Sequence, residues 1–151
     1  HLLIIGALEK ESRKKLPKDF LSLIHNHSHI HLTGWVENVP YYLAAADILI
    51  HPSYHEGMPN ALLQGAAMEL PCLASDVRGN KDAIIHGITG YLYPPKNKKE
   101  LVDLLITLIE NPSLRHALGK EGRQFVEREF DNNVVCKNLL DFYCETTLRK
   151  F

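Results

Sequence analysis

Residues 47–68 read DILIHPSYHEGMPNALLQGAAM, and the fold turns on this stretch. DILIH is a short apolar run suited to a buried strand. PSYHEGM carries Pro, Ser and Gly, which interrupt regular structure. Pro59 suits a first helical position, where its missing N–H costs nothing, and Leu62, Leu63, Ala66 and Ala67 continue at helical spacing. A helix starting at the carboxyl end of a parallel strand turns free N–H groups and the positive end of its dipole into the crevice there. Phosphate is the usual guest of such an end.

The polar residues around that helix entry follow one spacing. Glu56 ends the loop, and Asn60 and Gln64 follow at four-residue steps, which puts the last two on one helix face. An ionised carboxylate only accepts hydrogen bonds, so beside phosphate-binding amides it repels the phosphate itself. It is better matched to hydroxyls of a group attached to that phosphate. A diphosphate with a sugar at one end and a nucleoside at the other has this pattern. A solvated loop carboxylate followed by a polar outer helix face fits the same spacing. His51 and His55 lie close by, either on the sugar or acceptor side or as ordinary strand-end histidines.

Outward from this stretch, strands and helices alternate about every 20 to 25 residues. Leu2 to Ile5, closed by Gly6, reads as a central parallel strand covered on both faces. Glu9 to Ile24 reads as a helix that ends or re-enters near Lys18, after Pro17. His25, His27, His29 and His31 alternate, so a strand would place them on one face and invite a metal. Side chains from alternate residues of one segment run parallel and do not converge on a tetrahedron, which favours a polar edge or loop. Ile30 to Thr33 reads as a strand, with Gly34, Trp35 and Val36 at its carboxyl end. Trp35 fits either a ligand-flanking ring or a core or domain-edge aromatic.

Val39 to Ala46 reads as a short helix, Pro71 to Ser75 as a strand, and Asp76 to Asn80 as a loop with Gly79. Arg78 in that loop either faces phosphate or is a solvated cation. Asp82 to Ile85 opens a short helix, HGITG is a turn, and Tyr91 to Tyr93 is a last strand stopped by Pro94 and Pro95. Asn97 is placed to cap a helix carrying Leu101, Leu104, Leu105 and Leu108. Asn111-Pro112-Ser113 separates it from a second helix running to about Glu129. Val134 to Leu148 is a last helix with an apolar stripe of Val135, Leu139, Phe142 and Tyr143.

This order predicts an α/β fold, a Rossmann-like doubly wound parallel sheet with C-terminal helices. Ligands of such sheets sit outside the carboxyl ends of the strands. The motifs Gly34-Trp35, His51 to Met58 and Asp76 to Gly79 all fall at such ends. The first strand is followed by GALEKE rather than a Gly-x-Gly-x-x-Gly turn, which excludes a dinucleotide-dependent oxidoreductase.

With 151 residues, 45% of them hydrophobic, the chain is one domain with a full core. A formal net charge of −1 gives no electrostatic case for a nucleic acid partner. Cys72, Cys136 and Cys144 form neither a disulfide framework nor a metal spacing, and Cys72 lies in an apolar run as a buried thiol. A reducing cytoplasm fits that usage. No apolar run approaches the ~18 residues of a membrane span, and no signal peptide is visible. The sequence opens almost inside a strand, as a piece of a longer protein does.

The central stretch resembles the signature of retaining glycosyltransferases of the GT-B class, specifically family 4. That signature holds two glutamates separated by seven residues, in a Pro-Ser…Glu-Gly-x-Pro…Glu-Ala context. Pro52, Ser53, Glu56, Gly57 and Pro59 match it, whereas Gln64 and Gly65 stand where the family has Glu and Ala. LPCLASDVRGNKDAI and HGITGYLYPP resemble the family's downstream segments, so the likeness covers nearly the whole chain.

The resemblance implies that residues 1–151 are the donor-binding domain of the C-terminal half of such an enzyme. The piece would lack its first strand, whose Gly-Arg and Lys-Gly pair clasps the diphosphate in relatives, and the N-terminal acceptor-binding domain. The implied reaction is sugar transfer from a nucleoside-diphosphate sugar with retention at the anomeric carbon, in cell-surface polysaccharide assembly. No metal or cofactor is implied. Glu56 would hold donor-sugar hydroxyls as the catalytic residue, and Gln64 the ribose. The diphosphate and sugar would lie along His55, Gly57, Met58, Pro59, Asn60 and Ala61, and the base beside Gly34, Trp35 and Val36. The whole enzyme would work in the cytoplasm, with peripheral association at the inner face of the membrane, and the isolated chain would turn over nothing. A non-catalytic sugar-nucleotide-binding module, or an epimerase of the same shape, is the alternative.

Overall fold

The structure, a computed structural model, describes residues 1–7 and 17–148. It divides into two compact units, His1–Ala46 and the remainder from Asp47.

In the first unit, β1 (Leu2–Ile4) pairs in parallel with β2 (Ile30–Leu32), Leu3 opposite His31. Helix α1 (Lys18–Asn26) precedes β2 and α2 (Val39–Leu43) follows it. Ile24 and Leu43 are the buried residues here among those described. The expectations for β1 and for α2 need correction, while the histidine reading stands and the 9–24 helix lies partly outside the described residues. Leu2 is 45% exposed, so β1 is not covered on both faces; β2 is its one strand neighbour among the described residues. The helix expected over 9–24 falls partly outside the described residues, and the described part runs from Lys18 to Asn26. The four histidines do not share a strand face, in keeping with the favoured edge or loop reading. His25 lies in α1, His27 and His29 in the following turn, and only His31 in β2. Among the described residues, no three His, Cys, Asp or Glu side chains are grouped to hold a metal ion. Helix α2 stops at Leu43, so Ala44 to Ala46 form a turn.

The second unit is built on a parallel sheet in the order β3 (Leu49–His51), β4 (Cys72–Ser75), β5 (Gly90–Tyr93). Leu49, Ile50 and His51 lie opposite Cys72, Leu73 and Ala74, which in turn lie opposite Gly90, Tyr91 and Leu92. Helix α3 (Asn60–Ala67) connects β3 to β4, and α4 (Arg78–Ala83) connects β4 to β5. Two apolar clusters flank β4. Leu62, Ala66, Cys72, Ala74, Ala83 and Ile84 form one; Leu73, Tyr93, Leu108 and Leu118 form the other. Successive β4 side chains alternate between these clusters, as the two-residue period of a strand requires. Every residue of β4 is buried, so this parallel strand is covered on both faces.

Three helices follow: α5 (Lys98–Glu110), α6 (Pro112–Glu129) and α7 (Asn132–Leu148). Asn97 caps α5, accepting from the Glu100 amide at 3.2 Å and donating to the Glu100 carboxylate at 2.8 Å. Pro112 stands at the start of α6, as its fixed φ favours. The stripe on α7 is not core: Val135, Leu139, Phe142 and Tyr143 are 46 to 61% exposed. Among the described residues, no helix is long and apolar enough to cross a membrane.

Candidate functional site

The loop between β3 and α3 carries the signature residues, and its position follows from β3. Leu49 faces α3, because its side chain is the nearest neighbour of the site where a Gly65 side chain would start. His51, two residues on, faces the same side. Its Nε2 lies 3.0 Å from Glu56 Oε1, and both side chains are about a quarter exposed. Glu56 is thus turned toward the strand end rather than into open water.

Three further contacts seat the loop. Ser75, the last residue of β4, donates its hydroxyl to the Ser53 carbonyl. Asn80 of α4 donates from Nδ2 to the Ser75 carbonyl at 2.8 Å and to Ser75 Oγ at 3.2 Å, with Ser53 Oγ at 3.5 Å. Asn80 is fully buried and Ser75 nearly so, which makes these hydrogen bonds costly to lose. Gly79 lies directly against the Glu56–Gly57 backbone. A side chain there would meet the Gly57 carbonyl, with Glu56 O at 2.7 Å and Glu56 C at 2.9 Å.

The helix entry differs in detail from expectation. Pro59 is the N-cap rather than the first helical residue, because its ψ of 88° is not helical. It is buried, and its carbonyl accepts from Leu62 at 2.9 Å and Leu63 at 3.3 Å. At this helix entry the Asn60 amide is already bonded to the Met58 carbonyl at 3.1 Å. Among the described residues, the amides of Met58 and Ala61 have no recorded backbone acceptor, and no side chain caps the helix. Asn60 and Gln64 are exposed on α3, and His55, Gly57, Met58 and Ala61 are exposed around its start.

Helix α4 starts at Arg78, so the expected loop 76–80 is shorter and the expected helix start at Asp82 moves four residues earlier. Arg78 is exposed, and Lys81 pairs with Asp76 at 2.9 Å. A cavity of ≈ 330 Å³ opens at the carboxyl ends of β3, β4 and β5, lined in part by Ser53, Tyr54, Ser75, Tyr93 and Lys96. Glu56 does not line it. Burial, and then Tyr54, raises the Tyr93 phenol above its ordinary pKa.

In the first unit, Gly34 has φ of 71°, a left-handed backbone that glycine adopts without strain. It bridges to Gly6, and the Gly6 amide donates to Thr33 Oγ1 at 3.3 Å, joining the ends of β1 and β2. Trp35 is 82% exposed, which removes the reading of a core aromatic. Val36 is half-buried. The spacing points to Glu56 and sets His51 close by without pairing the two, and it carries no sign that Ser75, Asn80 and Gly79 seat the loop. A polar residue ending the apolar run DILIH was the available signal for His51.

The chain is 28% identical over 142 residues to the capsular polysaccharide biosynthesis glycosyltransferase CapM of Staphylococcus aureus, covering 94% of this chain and 37% of that protein. It is 26% identical over 119 residues to UDP-Gal:alpha-D-GlcNAc-diphosphoundecaprenol alpha-1,3-galactosyltransferase of Escherichia coli, covering 79% and 30%. The chain thus spans about a third of the length of these curated relatives. Anabaena HepE, solved in complex with UDP-glucose, superposes with a TM-score of 0.80 at 19% identity, over 95% of this chain and 40% of that one. The fold is the α/β arrangement of parallel sheets and C-terminal helices found in GT-B glycosyltransferases. A profile of the family described as Glycosyl transferases group 1 matches residues 1–125. The chain belongs to the glycosyl transferases group 1 family.

Proposed function

We propose that this chain is the donor-binding C-terminal domain of a retaining family 4 glycosyltransferase, using a nucleoside-diphosphate sugar in cell-surface polysaccharide assembly. The observation that carries this is the placement of Glu56. A partly buried carboxylate, held by His51, stands directly before a helix start that no side chain caps. The amides of Met58 and Ala61 and the dipole of α3 supply positive potential where a leaving diphosphate gains charge. Glu56 accepts from donor-sugar hydroxyls and orients the anomeric carbon. Gln64 bonds the ribose through one acceptor oxygen and one donor amide. Gly34, Trp35 and Val36 serve the base, with the exposed indole available for stacking. Helix amides and basic side chains replace a divalent ion, and an N-terminal acceptor-binding domain completes the enzyme. That CapM is a glycosyltransferase of capsular polysaccharide biosynthesis supports the pathway, and that the galactosyltransferase is named for UDP-Gal and HepE was solved with UDP-glucose supports the donor class.

The test is Glu56→Gln in the full-length protein, assayed against UDP-, GDP- and ADP-sugars. Transfer falls by about 100-fold or more, on the scale of losing one charged hydrogen-bonding group aimed at the reacting centre, while nucleoside-diphosphate affinity is kept. Unchanged transfer by this variant refutes the proposal. The anomeric configuration of the product, read by NMR, decides retention.

A further inference from the structure

We infer that His51 is a positioning residue for Glu56, fixing which carboxylate oxygen is left for the donor sugar. The inference rests on the reading of Glu56 given under the proposed function. His51 belongs to β3, where its backbone lies in register with Ala74 of fully buried β4. Glu56 lies in a loop, five residues on. The imidazole is therefore the anchored partner and the carboxylate the movable one. Its Nε2 takes Oε1 at 3.0 Å, and among the described residues Oε2 has no hydrogen-bond partner and is the oxygen left to meet a ligand. A carboxylate with one oxygen engaged presents a single acceptor in a defined direction. Both side chains are about a quarter exposed, so water screens this pair less than an ordinary surface pair. The same strand face brings Leu49 against α3, so the imidazole sits on the side of the sheet where that helix begins. The loop seat formed by Ser75, Asn80 and Gly79 fixes the main chain but not the carboxylate. His51 supplies that last constraint.

The experiment compares His51→Phe, His51→Gln, Glu56→Gln and the double variant H51F/E56Q in the full-length protein. The donor is whichever of UDP-glucose, GDP-mannose and ADP-glucose is turned over fastest. H51F lowers kcat by about 10-fold, on the scale of one lost hydrogen bond to a charged group, and leaves affinity for the free nucleoside diphosphate within about 2-fold. H51Q, which keeps a donor N–H, recovers part of the loss. The double variant is no worse than E56Q alone, since both changes act through one carboxylate. Wild-type turnover by H51F, or losses that multiply in the double variant, overturns the inference while leaving the role of Glu56 intact. Unchanged turnover by E56Q instead removes the underlying reading. Should H51F fail to fold, the His51 imidazole resonances of the wild-type and E56Q proteins decide the matter. A shift on E56Q sustains the contact and an unmoved resonance refutes it.

Discussion

Gly79→Ala puts the seat of the signature loop to a direct test. An alanine Cβ at this position meets the Gly57 carbonyl and lies 2.7 Å from Glu56 O and 2.9 Å from Glu56 C. Carbon atoms reach their best separation near 3.5 Å, so the Glu56–Gly57 peptide must retreat by roughly 0.6 Å or more. These neighbours are backbone atoms, and no side-chain rotation relieves the overlap. Overpacking of this kind costs about 1–3 kcal/mol. Alanine returns about 1 kcal/mol of helix propensity in α4, so the net loss of stability is about 0–2 kcal/mol. The effect on function is larger in proportion. A group misplaced by ~1 Å loses up to about 100-fold in rate, and a retreat of this size by the loop carrying Glu56 predicts a fall of about 10- to 100-fold in donor turnover.

The assay pairs turnover of the full-length protein with its denaturant midpoint. Leu108→Ala is the control, because Leu108 is fully buried in the cluster with Leu73, Tyr93 and Leu118. It costs more stability, about 2–5 kcal/mol, yet leaves the turnover of the folded fraction unchanged. If Gly79→Ala turns over donor within about 2-fold of wild type, Gly79 does not position the loop and the reasoning is wrong.

Three further outcomes are expected. With Gln64 at the ribose as proposed, Gln64→Glu supplies a carboxylate able to accept from both hydroxyls, so nucleoside-diphosphate affinity rises in calorimetry; weaker or unaltered binding counts against that assignment. Gly119→Ala destabilises by about 1–3 kcal/mol, because its Cβ meets the Glu69 carbonyl, whereas Gly65→Ala costs less because it meets the movable end of the Leu49 side chain; equal denaturant midpoints would contradict this. Burial pushes the Cys72 thiol up from 9.0 to about 12, so its contribution to stability is fully present below pH 9 and is lost as pH rises toward 12; at neutral pH a thiol reagent labels the exposed Cys136 and Cys144 but not Cys72 until the protein unfolds, and prompt labelling at all three positions refutes the burial.

The parallel α/β order was legible because it rests on short-range signals. Apolar runs marked β3, β4 and β5, and Asn97 and Pro112 marked helix starts whose chemistry is local. The errors fall where distant groups decide. RGNKDA reads as a loop into a helix because Gly79 and Asn80 are poor helix formers. It is helical from Arg78 because Gly79 packs on the loop after β3 and Asn80 bonds the end of β4. Pro59 satisfies the rule for a first helical residue, but its carbonyl is used by Leu62 and Leu63 and its ψ stays outside the helix. The α7 stripe has helical periodicity without burial, since a pattern of apolar residues states that a face could be covered and not what covers it. Glu56 and Gln64 were legible as a spacing. The bond from His51 to Glu56 was not, because it depends on the path of four intervening loop residues.

That division has a physical cause that bears on the site itself. In the role proposed for Glu56, a carboxylate must be held to within about 0.5 Å, and a loop of Pro, Ser and Gly cannot hold it unaided. Here the holding groups come from three separate elements: His51 from β3, Ser75 from β4, and Gly79 with Asn80 from α4. Each reaches the loop only because β3 and β4 are paired with His51 opposite Ala74. A shift of one residue in that register would send the His51 side chain to the other face of the sheet and separate it from Glu56. The residues that hold are half or fully buried, whereas Asn60 and Gln64, assigned to the ligand, are exposed. Specificity can therefore change at the exposed positions with little effect on folding. A change at Ser75, Gly79 or Asn80 must disturb fold and site together.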